Sequence, residues 1–173
     1  MFTTNAGSDS VSVLRAMGDD LELVDTEPTG DHPISVTVSR GIVYVLNASG
    51  SNCMGPAVTP TITGYRMSGQ GELTPIPDST RPVLGGSLSG CTQVSFNPAG
   101  DVLVVTEKAA DVISTYTVGA DGLATGPIRN DSSGLGPFGF TFTQTGRLLT
   151  SENCGGAPLA DGVIEKSHAG HPG

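Results

Sequence analysis

Four ionisable side chains in predicted connecting segments form a set that could do acid–base chemistry on an anion. Arg81 offers a guanidinium that can hold a carboxylate or phosphate by paired hydrogen bonds. His32 offers an imidazole, a side chain that proteins use as an acid or a base near neutral pH. Glu107 is a carboxylate with a second cation, Lys108, beside it. We predict that these four are catalytic and that the chemistry requires no metal, nucleotide or other cofactor.

A second interpretation gives the same four residues no catalytic role. His32 would simply begin a strand, and Arg81 would precede Pro82 in a turn. Glu107 and Lys108 would occupy another turn, with both side chains in solvent. The elements around these residues therefore decide whether the four can act together.

The elements follow from a repeat. Apolar pairs that share one strand face occur three and five residues after Pro33, Cys91 and Pro137. These pairs are Val36 and Val38, Val94 and Phe96, and Phe140 and Phe142. A turn ending in glycine and a second strand follow each pair. The predicted second strands are 42–47, 102–106 and 148–151, and residues 2–5 match their pattern.

Two further strands complete each unit. The third strands are rich in β-branched and aromatic residues, and the fourth strands follow turns containing Gly or Asp. The predicted third strands are 11–14, 61–67 and 112–118, and the predicted fourth strands are 21–25, 72–76 and 123–128. Four antiparallel strands at this period are typical of a β-propeller blade.

The predicted fold is therefore all-β, a partial β-propeller of about three four-stranded blades over residues 1–153. The blade pieces are 1–27, 32–77, 90–128 and 137–151, and residues 154–173 are predicted to be an irregular or flexible tail. The chain would begin inside a blade, which indicates a fragment of a longer propeller. Such an arc exposes a sheet edge at each end, where the chain could associate with itself.

The connections divide into two kinds. The turns within strand pairs are short and contain glycine, whereas the connections 48–60, 78–90, 107–111 and 129–136 are long. Long loops on a rigid scaffold usually carry function. We therefore place the working face at the end with the long connections, and expect it to carry His32, Arg81, Glu107 and Lys108.

Charge and local motifs exclude several classes of partner. The chain has 17 acidic and 8 basic residues, which disfavours binding to nucleic acid or to an anionic membrane. The uncharged stretch 41–65 contains too many polar residues and prolines to span a bilayer. Gly134 to Gly139 matches GxGxxG, but a strand follows where dinucleotide binding needs a helix. No export signal is visible, so the localisation stays open; a longer relative could be exported.

The three cysteines, Cys53, Cys91 and Cys154, have neither the spacing of a metal knuckle nor that of a dense disulfide framework. We interpret them as buried or incidental thiols.

Taken together, several segments resemble the lactonase-type seven-bladed β-propellers, the family of 6-phosphogluconolactonase and carboxymuconate-cyclase relatives. The resemblance covers roughly residues 2–153 and rests on pieces that keep the order of that family: TNAGSDSVSV at 4–13, HPISV at 32–36, VYVLN at 43–47, ITGYR at 62–66, VVTEK at 104–108 and PFGF at 137–140.

The resemblance implies a lactone hydrolase or a cycloisomerase acting on a small anionic lactone or an unsaturated dicarboxylate. The alternative is a non-catalytic propeller that binds a ligand or a protein on the same face.

Overall fold

A computed structural model describes residues 1–50 and 59–153 and the strand 163–166. Its strands form four antiparallel sheets, which we number along the chain. Sheet 1 contains β1 (Phe2–Asn5), β2 (Ser10–Met17) and β3 (Asp20–Pro28); sheet 2 contains β4 (Pro33–Ser39), β5 (Ile42–Asn47), β6 (Thr61–Met67), β7 (Leu73–Pro75) and β8 (Arg81–Pro82). Sheet 3 contains β9 (Cys91–Phe96), β10 (Val102–Glu107), β11 (Val112–Val118) and β12 (Ala124–Asp131); sheet 4 contains β13 (Pro137–Phe142), β14 (Leu148–Glu152) and β15 (Val163–Lys166).

The architecture is all-β and is that of a partial propeller, as the repeat predicts. In each sheet the strands are paired in chain order, and the first strands of successive sheets are neighbours. The amides of Val94 and Phe96 in β9 donate to the hydroxyls of Ser35 and Thr37 in β4, at 3.1 and 3.2 Å. The first strands therefore form one continuous inner arc, with the later strands of each sheet extending outward.

Alternation along the strands gives each sheet two faces, and each face packs on a different neighbour. Val11 and Val13 of sheet 1 pack against Val43 and Val45 of sheet 2. Tyr44 of sheet 2 instead belongs to the core shared with sheet 3. The other members of this second core include Leu46, Ile62, Phe96, Leu103, Val105 and Tyr116. A smaller third core, around Val104, Ile113 and Phe140, joins sheets 3 and 4.

Two tyrosines tie neighbouring sheets together at equivalent positions. Tyr65 and Tyr116 are each the fifth residue of the third strand in their sheet. The Tyr65 hydroxyl donates to the Pro28 carbonyl at 2.7 Å, and the Tyr116 hydroxyl donates to the Pro82 carbonyl at 2.8 Å. Both rings are buried, and burial raises the pKa of Tyr65 to about 12 and the pKa of Tyr116 further above its ordinary value.

The structure differs from the sequence prediction at two elements. Arg81 lies in a strand, β8, although we expected it in a loop. The fourth strand β7 has only three residues, so the beginning of β6 is left to pair with Arg81 and Pro82. β15, Val163–Lys166, pairs with β14 inside the segment 154–173 that we expected to be irregular. The rest of that segment lies outside the described residues.

The interpretation of the cysteines as thiols is wrong for Cys91, which is buried and disulfide-bonded. Cys53 and Cys154 both lie outside the described residues. Wide spacing in sequence carries no information about which residues a fold brings together, and therefore could not reveal this bond.

The buried tyrosines predict a loss of stability at alkaline pH. The folded protein holds the Tyr65 proton more tightly than the unfolded chain, since its pKa is raised from 10.0 to about 12. The resulting stability is fully present below pH 10 and is lost as pH rises towards 12. At neutral pH, Tyr65→Phe should cost about 1 kcal/mol through the lost hydrogen bond. Urea unfolding at increasing pH should show this difference shrinking; parallel curves for the two proteins would contradict the assignment.

Candidate functional site

The long connections meet at one end of the sheets, which we call the loop face and define as residues 6–9, 29–32, 48–50, 59–60, 76–90, 108–111 and 132–136. Backbone contacts join connections within sheets to connections between sheets. The amide of Thr29 donates to the Asp9 carbonyl at 2.7 Å, and the amide of Ala109 donates to the Ser89 carbonyl at 3.1 Å. The Asp111 carboxylate accepts the Gly136 amide at 2.7 Å. The loop face is therefore a connected surface.

One polar side chain in each of three sheets fixes this surface in place. Asn47, Glu107 and Glu152 are the last residues of the second strands, and they pair with Pro33, Cys91 and Pro137, respectively. Each of the three points toward the segment that enters its sheet from the preceding one. We call these three residues the clasp residues.

Of the three clasp residues, Glu107 accepts the most hydrogen bonds from the described residues. Its carboxylate is fully buried and accepts hydrogen bonds from the amides of Leu84 and Gly85, at 3.2 and 2.6 Å, and from the hydroxyl of Ser114. A buried carboxylate requires such donors, because leaving it unpaired away from water costs several kcal/mol, on the order of 3 or more. The Glu107 side chain therefore stabilises the connection 78–90 through these hydrogen bonds.

Glu152 repeats this arrangement in sheet 4, where its Oε1 accepts the Gly134 amide at 2.6 Å and the Ser132 hydroxyl at 2.9 Å. In sheet 2 the equivalent residue is an amide. The Asn47 Nδ2 donates to the Thr63 hydroxyl at 3.1 Å, while its buried Oδ1 has no hydrogen-bond partner among the described residues.

Each clasp residue lies against a glycine that no larger residue could replace without displacement. A Cβ at Gly30 would lie 2.8 Å from the Asn47 Nδ2, and one at Gly85 would lie 2.7 Å from the Glu107 Oε2. Gly134 meets Glu152 in the same way. The sequence predictions do not include this motif, because its spacing varies: the glycine lies three residues before Pro33 and Pro137 but six before Cys91. What the three sheets share is a glycine in the entering segment and Asn or Glu at the end of the second strand.

Arg81 also makes structural contacts. Its Nε donates to the Ala124 carbonyl at 2.8 Å, and its Nη1 donates to the carbonyls of Asp78 and Thr80 at 2.6 and 2.9 Å. Through these bonds the guanidinium links the outer edge of sheet 2 to the outer strand of sheet 3. This position is far along the sheet from the inner arc of first strands.

His32 lies directly before β4, at the end of the inner arc. Its backbone has a positive φ of 54°, and its amide donates to the Asp9 carboxylate at 2.9 Å. The side chain is half-buried, and its imidazole has no hydrogen-bond partner among the described residues. The ring is therefore open to a bound molecule.

Lys108 also lies at the inner arc. Its amide donates to the carbonyl of Gly90, the residue before β9, at 3.2 Å. Its ammonium sits 5.4 Å from the centre of the Phe138 ring, a cation–π distance. Phe138 is 42% exposed, an unusual position for a phenylalanine, and with Lys108 it forms a surface that is both cationic and apolar.

The structure thus separates the four predicted residues into two pairs. His32 lies directly before β4 and is half-buried, whereas Lys108 lies directly after β10, beside the residue that precedes β9, and is exposed. Arg81 lies at the outer edge and Glu107 is buried, and the described contacts join no two of the four side chains. The catalytic roles of all four stay predictions.

Two other features of the described residues bear on ligand binding. No group of three or more His, Cys, Asp and Glu side chains within 1–50 and 59–153 could hold a metal ion. A groove of about 340 Å³ lies between sheets 3 and 4, lined by Val104, Ile113, Asn130, Phe142 and Leu148, among others. Neither His32 nor Lys108 lines this groove.

No helix in the described part of the chain is long and apolar enough to cross a membrane.

Comparison with solved structures supports the fold, whereas comparison of the sequence with protein families and curated proteins finds no match. No protein-family model matches the chain, and no curated protein matches it in sequence. Among solved structures, a Bacteroides fragilis protein provisionally assigned as a 6-phosphogluconolactonase is 22% identical, with a TM-score of 0.68 over 91% of this chain and 49% of that one. A periplasmic gluconolactonase from Pseudomonas aeruginosa is 16% identical, with a TM-score of 0.62 over 94% of this chain and 51% of that one.

The fold is that of a lactonase-like β-propeller. The same fold also carries other chemistry, since hydrazine synthase from Kuenenia stuttgartiensis is 15% identical with a TM-score of 0.66 over 90% of this chain and 39% of that one. The chain spans about half the length of the lactonase-like structures it resembles. Its activity therefore has to be argued from its own residues.

The contacts of Glu107 predict that it stabilises the fold and is not itself a reacting group. Glu107→Gln should lower the free energy of unfolding by about 2 kcal/mol, because the NH₂ that replaces one carboxylate oxygen would face the amide of either Leu84 or Gly85, itself a donor. Urea unfolding measures this change, and exposed Glu72→Gln is the control, expected to leave the midpoint unchanged. A Glu107→Gln protein as stable as the wild type would contradict the clasp.

Proposed function

We propose that this chain carries the lactone-handling face of a lactonase-like propeller and acts there on a small anionic lactone. The observation that supports this proposal is the pairing of Lys108 with exposed Phe138 on the loop side of the sheets, the side on which His32 precedes β4. A cation beside an apolar ring suits a substrate with one anionic group and an apolar carbon ring.

The chemistry requires two functions, and these residues offer both. In hydrolysis, water adds to the lactone carbonyl while a base takes one of its protons, and the ring C–O bond breaks as its oxygen is protonated. In this proposal the His32 imidazole moves the proton and the Lys108 ammonium holds the anionic group. Cyclisation of an unsaturated dicarboxylate, as in carboxymuconate-cyclase relatives, is a different reaction: a carboxylate oxygen adds to one carbon of the C=C bond and a proton is delivered to the other. It also needs one group to move a proton and one to hold a carboxylate.

A second candidate is a propeller that binds a ligand or a protein at the loop face without catalysis. The observation that favours it is the use of Arg81 and Glu107, two of the four groups that we predicted for catalysis, in hydrogen bonds that hold connections and sheets together. A lone imidazole and a lone ammonium are sufficient to bind an anion.

Turnover of aldonolactones separates the two candidates. If the chain is a lactonase, His32→Asn should lower kcat by about 100-fold, within the range usual for a lost general base. Asn tolerates positive φ, so the backbone at this position should keep its conformation. Lys108→Ala should mainly raise KM. The measurement is release of acid from gluconolactone-type substrates at constant pH, after correction for spontaneous hydrolysis.

Arg129→Ala is the matched control, since this arginine is exposed and its guanidinium pairs with the exposed carboxylate of Asp131. It should leave both kinetic constants unchanged. If the wild-type chain binds an aldonate by calorimetry but opens no lactone, the binding module is the correct candidate. If it does neither, both are wrong.

A further inference from the structure

His32 occupies a position that two other sheets give to glycine. The residue directly before the first strand is His32 in sheet 2, Gly90 in sheet 3 and Gly136 in sheet 4, and its φ is 54°, 56° and 67°, respectively. The backbone carbonyl of each accepts the amide of the residue that follows the second strand, at 2.9, 3.2 and 2.8 Å. The three positions are therefore equivalent, and the fold itself imposes the positive φ.

A histidine at this position has to be explained by its side chain. Left-handed backbone suits glycine, and a residue with a side chain is held there only where its surroundings impose the conformation, which happens most often at binding and active sites. The imidazole of His32 is half-buried and has no hydrogen-bond partner among the described residues. The fold thus accounts for the positive φ but not for the ring, which is available to a ligand.

Asp9 holds His32 in this conformation. Its carboxylate Oδ1 accepts the His32 amide at 2.9 Å, and its backbone carbonyl accepts the Thr29 amide at 2.7 Å. Asp9 itself has a positive φ of 49° and lies directly before β2. Both ends of the segment 29–32, which leads into β4, are therefore hydrogen-bonded to one residue of sheet 1.

Asp111 makes the same two hydrogen bonds from sheet 3. It lies directly before β11 with a φ of 53°. Its Oδ1 accepts the Gly136 amide at 2.7 Å, and its carbonyl accepts the Ser132 amide at 3.0 Å. The two aspartates thus do the same for the backbone, but Asp111 holds a glycine where Asp9 holds a histidine. An effect of Asp9 that Asp111 does not share must therefore act through the imidazole.

We propose that Asp9 is a positioning residue, which fixes the backbone of His32 so that the imidazole faces a ligand at the loop face. This inference rests on the proposed function, in which that imidazole moves a proton or, in the second candidate, binds an anion. Misplacing a reacting group by about 1 Å can lower a rate by about 100-fold. The bond between Asp9 and the His32 amide can therefore matter more to the rate than to stability.

Steady-state kinetics of matched glycine variants tests the proposal. Asp9→Gly and Asp111→Gly each remove a carboxylate and introduce a residue that favours positive φ. With gluconolactone-type substrates, Asp9→Gly should lower kcat by about 10-fold and leave KM within about 2-fold, because the imidazole is displaced while Lys108 still holds the anionic group. Asp111→Gly should leave kcat unchanged. Asp9→Asn keeps an oxygen acceptor and tolerates positive φ, so it should retain the kcat of the wild type.

NMR of the imidazole protons gives a readout that does not depend on turnover. The His32 signals are those that disappear in His32→Asn. Asp9→Gly should move them towards the shifts of an unfolded histidine, whereas Asp111→Gly should leave them in place. Gluconate, the product anion of gluconolactone hydrolysis, should shift the His32 signals in the wild type and in Asp111→Gly, and shift them less in Asp9→Gly.

Circular dichroism verifies the fold of each variant, and Asp9 is exposed, so Asp9→Gly should fold. An unfolded Asp9→Gly protein would overturn the proposal, because the fold itself would then require this residue. Equal losses of kcat in the two glycine variants, or equal displacements of the His32 signals, would overturn it as well.

Failure of the proposed activity is distinguishable from failure of this inference. If the wild type opens no lactone, the enzyme candidate is wrong and the gluconate titration decides: a smaller shift in Asp9→Gly than in Asp111→Gly supports the positioning role, and equal shifts contradict it. If gluconate leaves the wild-type His32 signals unmoved, the inference falls together with both candidates.

Discussion

Every sheet in this fold must hide one face against the next sheet, and the rest of the structure follows from this constraint. The apolar residues that point in one direction in sheet 2 pack on sheet 1, and those that point the other way pack on sheet 3. When twisted sheets stack face to face, the ends of their strands gather on two opposite sides of the stack, and the connections lie there. The three clasp residues stabilise one of these ends, where they hold the incoming segment against the second strand.

At the loop face, some polar side chains that could bind a ligand are used instead to hold sheets and connections together. In the sequence, Glu107 is a carboxylate beside a lysine at a predicted long connection, which is the pattern expected of a reacting group. In the structure, its two oxygens accept hydrogen bonds from two backbone amides and a hydroxyl. Arg81 likewise donates to three backbone carbonyls, those of Ala124, Asp78 and Thr80. The groups left for a ligand are those that the fold does not use, and at the inner arc these are His32 and Lys108.

The fold by itself is a weak guide to activity. Lactonase-like structures and a hydrazine synthase share this architecture at 15–22% identity, too low for residue roles to be carried across. The chain also spans about half the length of those lactonase-like structures.

The sequence by itself determined the strands. The third strands 61–67 and 112–118 and the second strand 42–47 have the predicted bounds, because alternation and glycine turns are local properties of the chain. Which charged side chains become buried is not a local property. Only tertiary structure placed Glu107 against Gly85 and Arg81 against Ala124, because those partners lie in other elements, and only it paired Cys91 in a disulfide. The alternation of apolar and polar residues along one strand does not indicate which other element lies beside it.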